Sequence, residues 1–462
     1  MANPDVARET VVPVSRVAAF REALAVYLQP RVLIVLFLGF SSGLPLALSG
    51  STLLIWMREA NVDLTTIGLF ALVGTPYTIK FIWAPLVDAL HAPLLNRYFG
   101  RRRGWLLLSQ VALMIAIGLL ALTDPSVSPL AVAVAALLVA TASATQDIVV
   151  DAFRVESLPE NEQAAGMASY VAAYRIGMLI STAGALFLVS GIEGVGFAKP
   201  AAWRWGYVIM ALCVVIGMIT TLLATEPASS RRADAETSRE TPVQRLTQAA
   251  LGAFMEFLSR KDAWAALAFV VLFKLTDAFS GVMTGPFVID LGFSRNDYAG
   301  IVKGVGLGAT LLGGFAGGFV ARAFPLAPSL WIGGLLQAVA NLSFSWLAVV
   351  GVNEWALATA ITAENFTSAI GTVIFVAYLS ALCRNPLHTA TQYALLTALA
   401  AVGRTYLSAT AGYIAKATGW PIFFVICMLV AIPGLTLLLW LQRRGHFDEL
   451  AAADAAKAEA KI

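Results

Sequence analysis

Six ionisable side chains fall deep inside long apolar runs: Lys80, Arg175, Lys274, Asp277, Glu364 and Arg404. Counting inward at about 1.5 Å per residue puts each near the middle of a membrane. A charge held there is costly, so it faces a cavity or another charge. Four of the six are cationic and two anionic, which leaves a positive surplus even with both acids ionised. An anionic substrate is the simplest reason to keep that surplus in low dielectric, and a purely structural network of ion pairs is the alternative. Lys274 and Asp277, in FKLTDAF, are three apart on one helix face and can pair locally. Glu364, in TAENFTS, has no neighbour of opposite sign in its own helix. That makes it the leading candidate for a carboxyl that exchanges protons, ahead of Asp147 and Asp277, with permanent pairing as the alternative. Arg175 and Arg404 are the expected anion readers, because a guanidinium offers a planar fork to a carboxylate; Lys80 and Lys274 are point charges beside them. Asn341, Asn365 and Tyr174, with Gln337, Tyr378 and Tyr406, are able to hydrogen-bond a ligand or stack on a sugar ring, although such groups more often serve helix packing.

A second constellation lies near the helix ends. The stretch SATQDIVVDAFRVESLP, residues 143–159, closes an apolar run with Asp147, Asp151 and Arg154. The second apolar run, near 65–89, ends in APLVD at 84–88, followed by RYFGRRRG at 97–104. Asp88, Arg101, Arg102, Asp151 and Arg154 therefore share one side of the membrane. The expectation is a gate, in which carboxylates and guanidinium groups latch that mouth in one state and part in another. The alternatives are charges snorkelling at the surface and a proton site at Asp147.

The elements that must position these groups are transmembrane helices. The chain has 462 residues, is 59% hydrophobic and carries only 13% charged residues; its mean hydropathy is +0.78. Ordinary soluble domains do not approach this. About 20 apolar residues span the hydrocarbon, and twelve runs qualify, near 31–57, 65–89, 104–123, 128–152, 163–190, 203–224, 263–289, 296–321, 327–350, 354–382, 389–414 and 420–442. The expected fold is an all-α membrane protein. It comprises an N-terminal segment 1–30, a six-helix bundle 31–224, a linker 225–262, a second six-helix bundle 263–442 and a tail 443–462. The linker opens with the polar EPASSRRADAETSRETP, and then Val243, Leu246, Ala250, Phe254 and Phe257 recur at helical spacing, which predicts a short helix lying on the membrane face. Basic residues crowd the termini and the even-numbered loops, whereas the odd loops offer Arg58, Lys199, Arg204, Arg295 and Lys416. By the positive-inside rule both termini are cytoplasmic. The first residues lack an apolar core ahead of a cleavage site, so no cleaved signal peptide is expected. Cys213, Cys383 and Cys427 show neither pairing nor metal spacing, and no cofactor or metal is called for.

Two faint internal echoes favour a duplicated architecture. GLFALVGTPYTIKFIWAPLVD at 68–88 and GIVKGVGLGATLLGGFAGGFV at 300–320 carry small residues at matching spacing. ESLPENEQAAG and SALCRNPLHTATQ each place a proline and a polar turn after a helix. With the six-plus-six division, they point to two bundles around a central cavity. Gly304, Gly306, Gly308, Gly313, Gly314, Gly317 and Gly318 crowd the eighth run, where close helix contacts are expected.

Several ordered motifs carry a resemblance: GFSSGLPLALSGSTL at 39–53, FGRRRGWLL at 99–107, SATQDIVVDAFRVESLP, YRIGML at 174–179, FKLTDAF, and ATQYALLTALAAVGRTY at 390–406. Over about residues 30–442 the chain resembles the AmpG-type muropeptide permeases of the major facilitator superfamily. The resemblance implies a monomeric permease of the bacterial inner membrane that imports anhydromuropeptides, anionic glycopeptides shed by the cell wall, using the proton gradient. APLVD with FGRRRG also resembles the superfamily's signature between the second and third helices, although Ala84 replaces its leading Gly and the gap to the arginines is longer. The rival readings are a carrier of another large anion such as acetyl-CoA or a nucleotide, and a membrane sensor that binds without transport. An embedded acyltransferase fails on its motif: His91 opens HAPLLN, where Asn96 stands in place of the needed Asp, and His388 and His446 have no evident partner. Nothing in the chain points to nucleic acid.

Overall fold

The computed structural model describes residues 26–84, 87, 95–227, 262–383 and 389–459. Among these, every regular element is a helix. Eleven are long and apolar enough to cross a membrane: α1 (Pro30–Glu59), α2 (Leu64–Ile82), α3 (Arg101–Ala121), α4 (Pro129–Ser157), α5 (Ala165–Gly194), α6 (Lys199–Leu223), α7 (Ala263–Asp290), α8 (Arg295–Ala323), α9 (Leu326–Val350), α10 (Glu354–Leu382) and α12 (Trp420–Arg443). The helical run 389–418, α11, completes the expected twelve. A last helix, α13 (His446–Glu459), follows them. The linker helix expected around Val243 to Phe257 lies outside the described residues.

An even number of crossings puts both chain ends on one face, here the terminal face; the odd loops lie on the opposite, far face. The even-numbered helices all start at the far face, where their first N–H groups have no partner within the helix. Four have side-chain caps: Asp63 for α2, Ser128 for α4, Ser294 with Asp297 in a capping box for α8, and Asn353 for α10. The other two, α6 and α12, carry a proline at the second position, Pro200 and Pro421, which has no N–H to satisfy.

Within each bundle, glycines set the closest crossings. A side chain on Gly43 would lie 2.0 Å from the Tyr174 carbonyl oxygen, so α1 and α5 touch backbone to backbone. Gly313 does the same for α8 and α10, its added carbon meeting the Phe366 carbonyl at 2.2 Å. The glycine crowd of α8 divides by face: Gly306, Gly313 and Gly317 abut α10, whereas Gly308, Gly314 and Gly318 meet nothing.

The bundles meet along α1 with α7, α2 with α11, and α5 with α8. This scheme maps onto itself when every helix is replaced by the one six places on, as a duplicated fold requires. The irregularities obey the same shift. α1 breaks at Ser49–Gly50 and α7 at Lys274. α5 contains a π-helical turn at Ile180–Gly184, and α11 one at Gly403–Leu407. α8 has a third at Tyr298–Val305, while α2 carries 3-10 turns at Phe70–Gly74 and Lys80–Ile82. Irregular backbone at membrane depth is tolerated where it borders a cavity.

Candidate functional site

Three adjoining cavities of about 330, 430 and 470 Å³ lie between and beside the bundles, and Met178 borders all of them. The first runs from Ser51 and Arg175 on the N-terminal side to Tyr298, Lys303, Glu364 and Asn365 on the C-terminal side. The second is bordered by Ser49, Tyr77, Asp277 and Arg404. The third is bordered by Lys80, Asp147, Asp151, Tyr170, Tyr174 and Arg175. The irregular turns supply much of this wall, since they release backbone and side chains from a regular helical register.

The charges in it are unequally partnered. Asp277 is held by Lys274 of its own helix, by Gln337 Nε2 at 3.1 Å and by Ser368 Oγ at 2.8 Å. Lys274 also donates to Thr372 Oγ1 at 2.9 Å, so both members of that local pair have further partners. Asp147 faces Lys80 at 4.0 Å, and its Oδ1 is buried without a hydrogen-bond partner. Glu364 receives the Asn365 amide at 2.9 Å and has no cation within ion-pair distance among the described residues. Arg175, Lys303 and Arg404 likewise have no carboxylate partner there. Lys303 rests over the Tyr298 ring, 5.4 Å from its centroid. The cavity wall thus presents three unneutralised cations against one lone carboxylate.

Tyr174 borders the third cavity beside Tyr170, their ring centroids 6.0 Å apart. Asn365 borders the first, where it also receives the Thr310 hydroxyl at 3.3 Å. Asn341 is placed elsewhere: it is buried in α9, its amide donating to the Gln337 carbonyl at 2.9 Å, and it borders none of the three cavities. Tyr378 is also remote, packed against His446 of α13. Lys303 and Tyr170 are among the bordering residues that spacing alone passed over.

Of the expected gate, Asp88 lies outside the described residues. Arg154 reaches Asp151 at 3.8 Å within α4. Arg102 pairs with Glu156 at 2.5 Å, and the Glu226 carboxylate accepts the Arg102 and Arg103 backbone N–H groups, closing the start of α3. These last contacts tie α3 to α4 and to the start of the linker. The far face differs, because four of its ion pairs cross between bundles. Arg58 pairs with Asp290, Arg295 with both Glu59 and Glu193, and Lys416 with Asp63. Trp420 Nε1 donates to Asp290 at 3.1 Å, and Trp203 Nε1 to Glu59 at 3.0 Å. Among the described residues no ion pair joins the bundles on the terminal side.

The model of the Major Facilitator Superfamily matches residues 35–403. The chain is 40% identical to the anhydromuropeptide permease of Escherichia coli (strain K12), over 90% of this chain and 80% of the relative. The chain belongs to the anhydromuropeptide permease family of this superfamily. A putative transporter, AmpG 4, of Rickettsia felis is similar at 34% identity, over 90% of this chain and 97% of its own length. The fold is also that of a POT family transporter crystallised with 5-aminolevulinic acid, with a TM-score of 0.66 and 13% identity over 89% of this chain and 96% of the other. As a member of the permease family the chain is a multi-pass membrane transporter and not an enzyme. A transporter's site must release what it binds, and a cavity whose cations are left unneutralised leaves them for a ligand to satisfy.

Proposed function

We propose that the protein imports anhydromuropeptides from periplasm to cytoplasm across the bacterial inner membrane, as a monomer driven by the proton gradient. One observation carries the substrate class: Arg175, Lys303 and Arg404 stand unneutralised in the cavity wall, so the preferred ligand is an anion with several carboxylates. The name of the permease relatives supports an anhydromuropeptide as that anion. Both termini and the linker 225–262 face the cytoplasm, in keeping with the basic even loops. Transport proceeds by alternating access, the two bundles rocking about the cavity. Lys80, Lys274, Asn365 and Tyr174 line or support the binding region, and Asp88, Arg101, Arg102, Asp151 and Arg154 form the cytoplasmic gate. Proton coupling falls to Glu364 before Asp147, because Asp277 is already held by three donors.

The test is uptake of radiolabelled anhydromuropeptide into proteoliposomes with and without an imposed proton gradient. Gradient-dependent accumulation is expected in the wild type. Arg404→Lys keeps the charge but loses the fork, so its apparent KM is expected to rise about tenfold or more, the range of one charge-assisted hydrogen bond. Purified, folded protein that moves no muropeptide under a gradient overturns the reading.

A further inference from the structure

Arg295 belongs to the C-terminal bundle by sequence, at the first turn of α8, but its guanidinium sits among groups of the N-terminal bundle. Its Nε donates to Glu59 Oε1 at 2.5 Å and its Nη2 reaches Glu193 Oε2 at 2.7 Å. It lies over the Trp203 ring, 5.5 Å from the centroid. Glu59 is the seat of this contact: its other oxygen takes the Trp203 indole N–H at 3.0 Å and faces Lys199 at 3.5 Å. Behind it, Trp203 stacks on Trp56 and tilts against Tyr207. The Arg295 and Glu59 side chains are each only 8% exposed, so water does not support either charge in this state. A charge buried this way depends on its partner, and removing one partner strands the other.

We propose that Arg295 is the plug of the far-side gate, seated on Glu59 and Glu193, and that withdrawing it is what lets a substrate enter from that side. The proposal rests on the alternating-access reading. Three features favour a releasable plug over a permanent tie. The pairs cross between the two bundles, which must part for the far side to open. They sit at the helix ends next to the loops, so both charges pass into water on opening and the cost of separating them is largely returned by hydration. Finally, Arg295 Nη1 is buried without a hydrogen-bond partner, so the closed seat is not fully satisfied. The neighbouring contacts add to the seal: Arg58 and Trp420 converge on Asp290, and Gly68 meets Gly412 so closely that an added carbon on Gly412 would lie 1.9 Å from the Leu64 carbonyl oxygen.

The experiment places spin labels at Val127 and Val352, which are exposed in far-face loops of the two bundles, in full-length protein whose three cysteines are replaced. Inter-label distances are measured in lipid nanodiscs without substrate. Glu59→Gln is expected to move the distribution from a short to a long distance, with at least a tenfold change in the ratio of the two populations. Arg295→Gln is expected to give the same shift and Arg295→Lys, which keeps a cation between Glu59 and Glu193, to retain most of the short distance, which a merely structural loss would not do. Lys416→Gln, at an exposed pair, is expected to change the ratio less than twofold. If Glu59→Gln does not fold, Glu193→Gln gives the same reading at the more accessible of the two seats. A short distance that persists in Glu59→Gln or Glu193→Gln, or an Arg295→Lys variant that behaves like Arg295→Gln, overturns the proposal. No substrate is present, so failed muropeptide uptake with an intact distance shift counts against the transport assignment alone, and intact uptake with no shift counts against the plug alone.

Discussion

Among the cavity residues, the carboxylates differ most in how they are held. Asp277 has a cation, an amide and a hydroxyl; Asp147 has a distant cation; Glu364 has one amide. A coupling group must gain and lose a proton as its surroundings change, and the least committed carboxyl is best suited to that. Glu364→Gln, which imitates the protonated acid, is therefore expected to abolish gradient-driven accumulation while leaving counterflow exchange within about twofold of the wild type. Concentrative uptake by that variant would pass the role to Asp147. Glu364, Arg175 and Arg404 were legible in the sequence because a charge deep in an apolar run has few innocent explanations. Lys303 was not, since it lies only eight residues after Arg295 and a straight helix would leave it shallow. It lies within the π-helical turn at Tyr298–Val305 and borders the cavity, and such a widened turn, which changes the facing of its residues, has no compositional signature. Asn341 is polar and at the right depth, but it is buried in α9 and borders none of the three cavities, a facing that spacing alone does not give.

At the level of the helix, starts and ends are written plainly, because the far-face N–H groups need caps and the sequence supplies them. Asp63 is the most testable. Its carboxyl is held below the ordinary aspartate value by the Thr66 hydroxyl first, then by the Thr66 backbone N–H and by Lys416. A group lowered in the folded protein stabilises it above the unfolded value, and this support fades as pH falls through the folded value. Asp63→Ala is thus expected to cost about 1 kcal/mol at pH 7, the usual worth of an N-cap. Unfolding measured in detergent should show the gap between variant and wild type shrinking as the pH is brought below 3.8. A gap that widens in acid would contradict the assignment. The breaks at Ser49–Gly50 and Lys274 were not legible, because they follow from how neighbouring helices and the cavity take up freed backbone groups. Only after folding does their six-helix periodicity become visible.

For the whole molecule, the division into two bundles followed from hydropathy and the polar interval between them. The far-face cations were read only as a minority setting topology, although the chain carries matching acids at Glu59, Asp63, Glu193 and Asp290. Four of the five odd-loop cations, Arg58, Lys199, Arg295 and Lys416, turn out to be partnered by those acids. What sequence could not give was which bundle each pair would join, since that depends on helices hundreds of residues apart.

The far-face pairs also differ in how they would answer dissolved electrolyte. Lys416 and Asp63 are 59% and 46% exposed, whereas Arg295 and Glu59 are 8% each. At 1 M salt the Debye length shrinks to about 3 Å, which screens the first pair and hardly reaches the second. A closed state that depended on surface attraction would loosen in brine; one seated on Glu59 is expected to hold its short inter-label distance from 0.1 to 1 M salt. With the far face in the periplasm, as proposed, an ionic strength that follows the outside medium would then leave the resting conformation of the protein undisturbed.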